Sequence, residues 1–492
     1  MDFLSALLPE EIRREESAGN FEIATKIVEE RLSKKLPLLL RKRLEYELER
    51  IKRVIKNYPY DEKAARSVFE KSIKDGSWDE FDLLLQNGML DYILIDKKRF
   101  FEKRFLQNLT FKDESYAKRY ENVRGNVREI VNKRILEILD GDVPRSYRVS
   151  AEISLTLKRD FDAEILRCWL PFPKAGYPIE SVKIIECDHE CRLSSNSENT
   201  TLYMEDKPKA GKRFTVRFEY NITEQISFVD PSKVLNSRIS KYLKEVPPHI
   251  VFSPYVKNIT SEIIGKEENP YLKAKKIYEW ITENIKYSYM HAYSTYDASL
   301  VDFALSNLKG DCGVQALTFI TMCRSFGIPA KWESGWFINP IDASPHDWAR
   351  FYVKPYGWLP VDPSFGGSRE GKLRGFYFGN LDAFRMIANE DFMVDFDPPK
   401  KFVRSDPYDN QEGEVETEKE NIYYDDFETK INVIFFKNLI KEDKDEKSIC
   451  VSRFNSITGI FDLRLRMDVK SDDGRDHANQ QRLQVWGDCC RC

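Results

Sequence analysis

The chain has no run of apolar residues approaching the roughly 18 that a membrane-crossing helix needs. Its opening, MDFLSALLPEEIRREE, lacks the basic segment of a secretory leader, and Pro9 cuts its apolar stretch short. Neither a leader nor an anchor is expected, and the expected compartment is the cytoplasm. Cysteine is sparse: nine in 492 residues, an odd number unevenly spread, which argues against a disulfide framework and for thiols in a reducing compartment. Positive charge is not in excess either. Lys and Arg number 77 against 81 Asp and Glu, for a net charge of -4, and a nucleic-acid partner is not expected without a basic footprint. No internal repeat is visible.

What is present suits a multidomain globular chain, 41% apolar and 32% charged, long enough for several cores. Residues 1–145 read as a helical N-terminal region: Leu40, Leu44, Leu48, Ile51 and Ile55 recur at helical spacing among Arg and Lys. Asp61 has the chemistry of an N-cap for a following helix. From Tyr147 the period changes to two. YRVSAEISLTLKRD and KRFTVRFEYNITEQI alternate apolar and polar residues, and residues 146–230 are expected to form a small immunoglobulin-like β-sandwich. Residues 231–268 read as a linker and 269–400 as a mixed helix and strand core. Residues 401–492 read as an acidic linker and C-terminal segment: Asp406 to Thr429 holds ten acidic residues against Lys419 alone, the composition of a solvated loop. Beyond it, INVIFF and ITGIFDLRLRMDV are candidate strands.

Within 269–400, LKGDCGVQALTFITMCRSFGIP predicts a helix that starts at Cys312, with Gly310 and Asp311 as turn and N-cap, and stops at Gly327 before Pro329. A cysteine in the first turn meets the partial positive charge of free backbone N–H groups, which favours its thiolate. A nucleophilic thiol needs a base, and His346 opens HDWARFYVKPYGWLPVDPSFGG, two strands around a turn at Pro355 to Gly357. If that turn is a three-residue loop, Val353 faces Gly357, and Asp362 lies diagonal to His346 at about 7–8 Å on the same face. A two-residue loop sends Asp362 to the opposite face. Granted the first register, Cys312 attacks, His346 moves the proton and Asp362 fixes the imidazole.

GDCGVQA, HDWARFYV and GWLPVDPS, in this order and spacing, resemble the transglutaminase-like superfamily, and the likeness extends from about Asn269 to Glu390. The resemblance implies a papain-like α+β core, a helix packed on an antiparallel sheet, with Cys312, His346 and Asp362 as catalytic residues. It implies thiol acyl transfer on amides through a thioester, without cofactor or metal, on a protein or peptide substrate. The animal cross-linking members carry Trp directly after the cysteine, whereas Gly313 stands here; this favours the microbial, protease-like or amidase-like members and hydrolysis as the outcome. Transamidation of glutamine by an amine is the alternative, and a non-catalytic binding module with the same fold is the other. An oxyanion donor beside the Cys312 N–H is expected from the Trp280 to Tyr296 region, without a choice among its side chains.

Other motifs carry less. Cys323 fits an apolar stripe and reads as core; Trp348 and Trp358 read as packing residues, and His291 as a packing or solvent-facing one. Cys187, His189 and Cys191 would share one face of a strand, but three ligands without a fourth make a poor zinc site. The terminal CCRC hints at metal or prenylation without the aliphatic residues of a prenylation box.

Overall fold

Leu44 and Ile51 are buried and Leu40, Leu48 and Ile55 pack beside them, so the apolar stripe is the inner face of the helix Leu38–Lys56 in this computed structural model, which describes residues 2–120, 127–194, 198–237 and 239–439. A second face of the same helix is buried as well, and it is polar: Arg43, Tyr46, Glu47 and Arg50. Tyr46 Oη donates to the Ser294 carbonyl (2.9 Å) and Arg50 Nη1 to that of Thr295 (2.7 Å). The Glu47 carboxylate lies between Arg43 and Arg50. This helix therefore fastens the N-terminal region to a loop of the core. Asp61 caps the helix Glu62–Ser72 as expected, accepting from Ala64 N at 2.8 Å. The region is not a pure bundle, because a three-stranded sheet of Tyr60–Asp61, Lys98–Phe101 and Tyr92–Ile95 interrupts it.

The β-sandwich is built from two sheets. One orders Phe427–Asn438, Ser146–Leu157, Arg213–Thr223 and Ile179–Cys187; the other Asn421–Ile422, Glu414–Thr417, Leu166–Pro171, Thr201–Asp206 and Cys191–Leu193. Three of these strands come from beyond residue 401, which corrects the reading of the acidic segment as a solvated linker. Its charges are answered locally. Glu414 accepts from Ser405 N (2.8 Å) and Lys400 Nζ (2.7 Å), and Glu416 accepts from Lys401 N and Phe402 N (both 3.1 Å). A buried carboxylate surrounded by N–H donors and a lysine is no longer a solvating group. INVIFF lies in the strand Phe427–Asn438, whereas ITGIFDLRLRMDV and CCRC lie outside the described residues.

Residues 231–268, read as a linker, contain the helix Pro254–Ile264, capped by Ser253 Oγ on Val256 N (3.1 Å). It joins Pro270–Asn284, Leu300–Asn307 and Cys312–Ser325 around a four-stranded antiparallel sheet ordered Gly357–Val361, Ala343–Val353, Ala330–Ile338, Arg385–Asn389. The helix Cys312–Ser325 is buried on all sides through Arg324, not on one stripe, because helices and sheet enclose it.

Replacing Glu47 by Ala leaves two buried guanidinium groups without their shared carboxylate. The expected cost is about 3 kcal/mol, read as a lowered urea midpoint of the full chain against wild type.

Candidate active site

Asp311 caps the helix as the sequence predicts: its Oδ1 accepts from Val314 N at 3.0 Å and also from Tyr293 Oη at 2.6 Å. Cys312 thus sits in the first turn, where backbone N–H groups favour a thiolate. Gly313 is dictated by space. A Cβ there would fall 2.1 Å from Tyr293 Oη, 2.7 Å from Asp347 Oδ2 and 2.9 Å from Trp332 Cη2, so the departure from Trp at this position has a steric cause. Tyr293 is the side chain from the Trp280 to Tyr296 region that reaches the helix start, and its hydroxyl is spent on Asp311. His291, in the same region, is half-buried, with Nε2 2.9 Å from Tyr58 Oη. It is a packing residue there.

The hairpin takes the register with a three-residue loop: Val353 pairs with Gly357 and Ala349 with Val361. Pairing ends there, and Asp362 turns into the N-cap of the short helix Pro363–Gly367. Its Oδ1 accepts from Phe365 N (3.0 Å) and Ser364 Oγ (3.1 Å). Its Oδ2 lies 2.7 Å from His346 Nε2 and 2.9 Å from Arg385 Nη2. Burial alone raises this carboxyl, but the imidazole, the guanidinium and the Phe365 N–H reverse that and hold it well below the usual carboxylate range. An ionised Asp362 only accepts, so His346 Nε2 carries a hydrogen. The ring is held between Phe365 (4.8 Å between centroids) and Trp348 (5.8 Å, stacked).

Cys312 lies on the helix packed against the strand that carries His346. Its Sγ donates to Asp347 Oδ2 at 3.4 Å. The other oxygen of Asp347 accepts from Gln411 Nε2, which also donates to the His346 carbonyl (3.1 Å), while Trp336 Nε1 holds the Gln411 carbonyl (2.8 Å). Exposure of Cys312, His346 and Asp362 is 1%, 1% and 0%, so the site is closed over. A cleft of about 660 Å³ lined by Tyr147, Phe384 and Phe436 does not include these three residues. Three groups escaped the sequence reading. Arg385 left the trace of a lone cation in the apolar FRMIA run, Asp347 left only its place after His346, and Gln411 left none.

Of the remaining sequence candidates, Trp348 borders this site and the others lie apart from it. Cys323 is core and Trp348 packs as expected, its Nε1 on Glu333 (2.6 Å). Trp358 packs on Tyr242 and Tyr352. Asp188 and His189 form a turn between two strands, with His189 between Asp188 (2.6 Å) and Asp206 (2.9 Å). No group of three or more metal-ligating side chains occurs among the described residues.

Residues 257–363 match the family model described as the transglutaminase-like superfamily. An uncharacterized protein of Haemophilus influenzae is 29% identical over 147 residues, which cover 25% of this chain and 39% of that protein. The chain thus spans about two fifths of the curated relative's length. Among solved structures, a candidate cysteine protease from Cytophaga hutchinsonii is similar with a TM-score of 0.39 and 14% identity, over 61% of this chain and 92% of that one. The periplasmic domain of TgpA from Pseudomonas aeruginosa is similar with a TM-score of 0.28 and 16% identity, over 50% of this chain and 96% of that one.

Asp362 is held ionised, so its contribution to stability is complete above the ordinary carboxylate pKa of about 4 and fades as pH falls below it. In Asp362→Ala, urea unfolding at pH 7 is expected to show a loss of about 3–5 kcal/mol. The gap to wild type narrows as the pH is lowered from 4 towards 3.

Proposed function

Because residues 257–363 carry a transglutaminase-like core in an α+β fold, we propose that this protein is a cysteine-dependent acyltransferase acting on amide bonds of a protein or peptide, with hydrolysis as its outcome. The observation that carries the reading is the buried His346–Asp362 contact of 2.7 Å, on the strand against which the helix of Cys312 packs. With Nε2 committed to Asp362, His346 Nδ1 is the nitrogen that takes the Cys312 proton. The thiolate then attacks the amide carbonyl, and the backbone N–H of Cys312 is the oxyanion donor nearest to hand. His346 returns the proton to the leaving amine. Water, activated by the same imidazole, attacks the thioester and frees the acid and Sγ. The five described cysteines are all free thiols, which suits the cytoplasm as the proposed compartment.

Transamidation differs only in the second nucleophile, an amine in place of water. A non-catalytic role is favoured by one observation, the 1% exposure of Cys312. The experiment separates all three. Iodoacetamide labelling of the native protein, read by peptide mapping, is expected to mark Cys312 selectively well below the ordinary thiol pKa of about 8.5, and to lose that selectivity in His346→Ala. Turnover of peptide aryl amides is expected to vanish in Cys312→Ala and to fall by roughly 10²–10⁴ in Asp362→Asn. Incorporation of dansylcadaverine into casein without amide hydrolysis would select transamidation. A Cys312 no more reactive than the other thiols would sink both enzymatic readings.

A further inference from the structure

Asp347 stands between His346 and Trp348 on one strand. The rings of His346 and Trp348 stack on one another, and the Asp347 carboxylate between them in sequence meets Cys312 Sγ at 3.4 Å. The absent Cβ of Gly313 makes room for that carboxylate. A carboxylate that accepts from a thiol stabilises S–H and repels S⁻, and so opposes the helix N-terminus. The carboxylate is itself fixed. Gln411 Nε2 binds its other oxygen and the His346 carbonyl together, and Trp336 Nε1 anchors Gln411.

Resting on the reading of Cys312 as nucleophile, we propose that Asp347 is a fourth catalytic residue, which holds Cys312 as a thiol until substrate arrives, and that Gln411 is the positioning residue that aims it. In use, Sγ leaves Asp347 for the imidazole. Its proton passes to His346 Nδ1, leaving thiolate and imidazolium and no other change of charge. The titratable groups facing Asp347 are Cys312 and, through Gly313, Tyr293 with its partner Asp311; His346 beside it; and the buried Asp409 nearby. Burial pushes the Asp409 carboxyl up. Gln411 and Asp409 both come from the chain beyond the residues of the family match, 257–363, so the restraint is added from outside that match.

The test is the pH dependence of Cys312 alkylation by iodoacetamide in the full chain, in wild type, Asp347→Asn and Gln411→Ala. The expected result is a midpoint lower by about one pH unit in Asp347→Asn, hence roughly tenfold faster labelling at pH 6, with a smaller shift of the same sign in Gln411→Ala. An unchanged or higher midpoint in Asp347→Asn overturns the proposal. Cys168 and Cys323, both buried, report the fold in the same digest; if they label too, Asp347→Ser is read by the same two outcomes. A wild-type midpoint that ignores His346→Ala while Asp347→Asn still moves it would count against the acyl-transfer reading and leave the Asp347 restraint standing.

Discussion

The carboxylate of Asp362 is fully buried and ionised, and the core is arranged around keeping it so. Leaving such a charge unpaired costs several kcal/mol, more than most single contacts return. The two partners of its Oδ2 come from different strands: His346 from an inner strand of the sheet, and Arg385 from the first position of the edge strand opposite the one that Asp362 follows. The 2.9 Å ion pair therefore ties the two edges of the sheet together at the end where Cys312 enters. Arg385 also lies over Phe365, 4.1 Å from the ring centroid, and Phe365 is one wall of the His346 slot. One cluster thus sets the imidazole's orientation and its tautomer.

Two other parts of the chain lean on the same site from outside the core. The N-terminal helices grip the loop that holds Tyr293 through Tyr46, Arg50 and Arg104, whose hydrogen bonds end on the carbonyls of Ser294, Thr295 and Met290. The segment around Gln411 grips the strand of His346 from the other side. Tyr408 in that segment stacks on Phe392 and leans on Tyr293 and His249, which joins the two supports through an aromatic contact. The polar face of Leu38–Lys56 reaches that loop through side chains, Tyr46 and Arg50 bonding the carbonyls of Ser294 and Thr295.

Local chemistry was legible where it is local. The Asp311 cap, the Asp61 cap and the loop between Val353 and Gly357 rest on short-range turn and capping preferences, and the structure has them. Gly313 could be read only as a departure, since its cause, three side chains from distant segments, is a matter of packing. The acidic run misled for a similar reason. Glu414 and Glu416 look like solvated charges until Lys400 and the N–H groups of residues 401–406 are folded around them. Asp347 and Gln411 are ordinary polar residues in sequence, and only the tertiary fold brings one to the thiol and the other to its carboxylate.

The sandwich is split by the core it flanks: Ser146–Leu157 and Leu166–Pro171 must wait for Phe427–Asn438 and Glu414–Thr417 to pair with them. During synthesis both strands are open sheet edges until more than 240 residues have followed them, the circumstance that most invites pairing with another nascent chain. The core between is therefore a guest in an unfinished host. Cutting the chain at residue 400 to isolate it would expose two backbone ladders and remove Gln411, so a shortened protein is expected to aggregate before it reveals anything about the thiol.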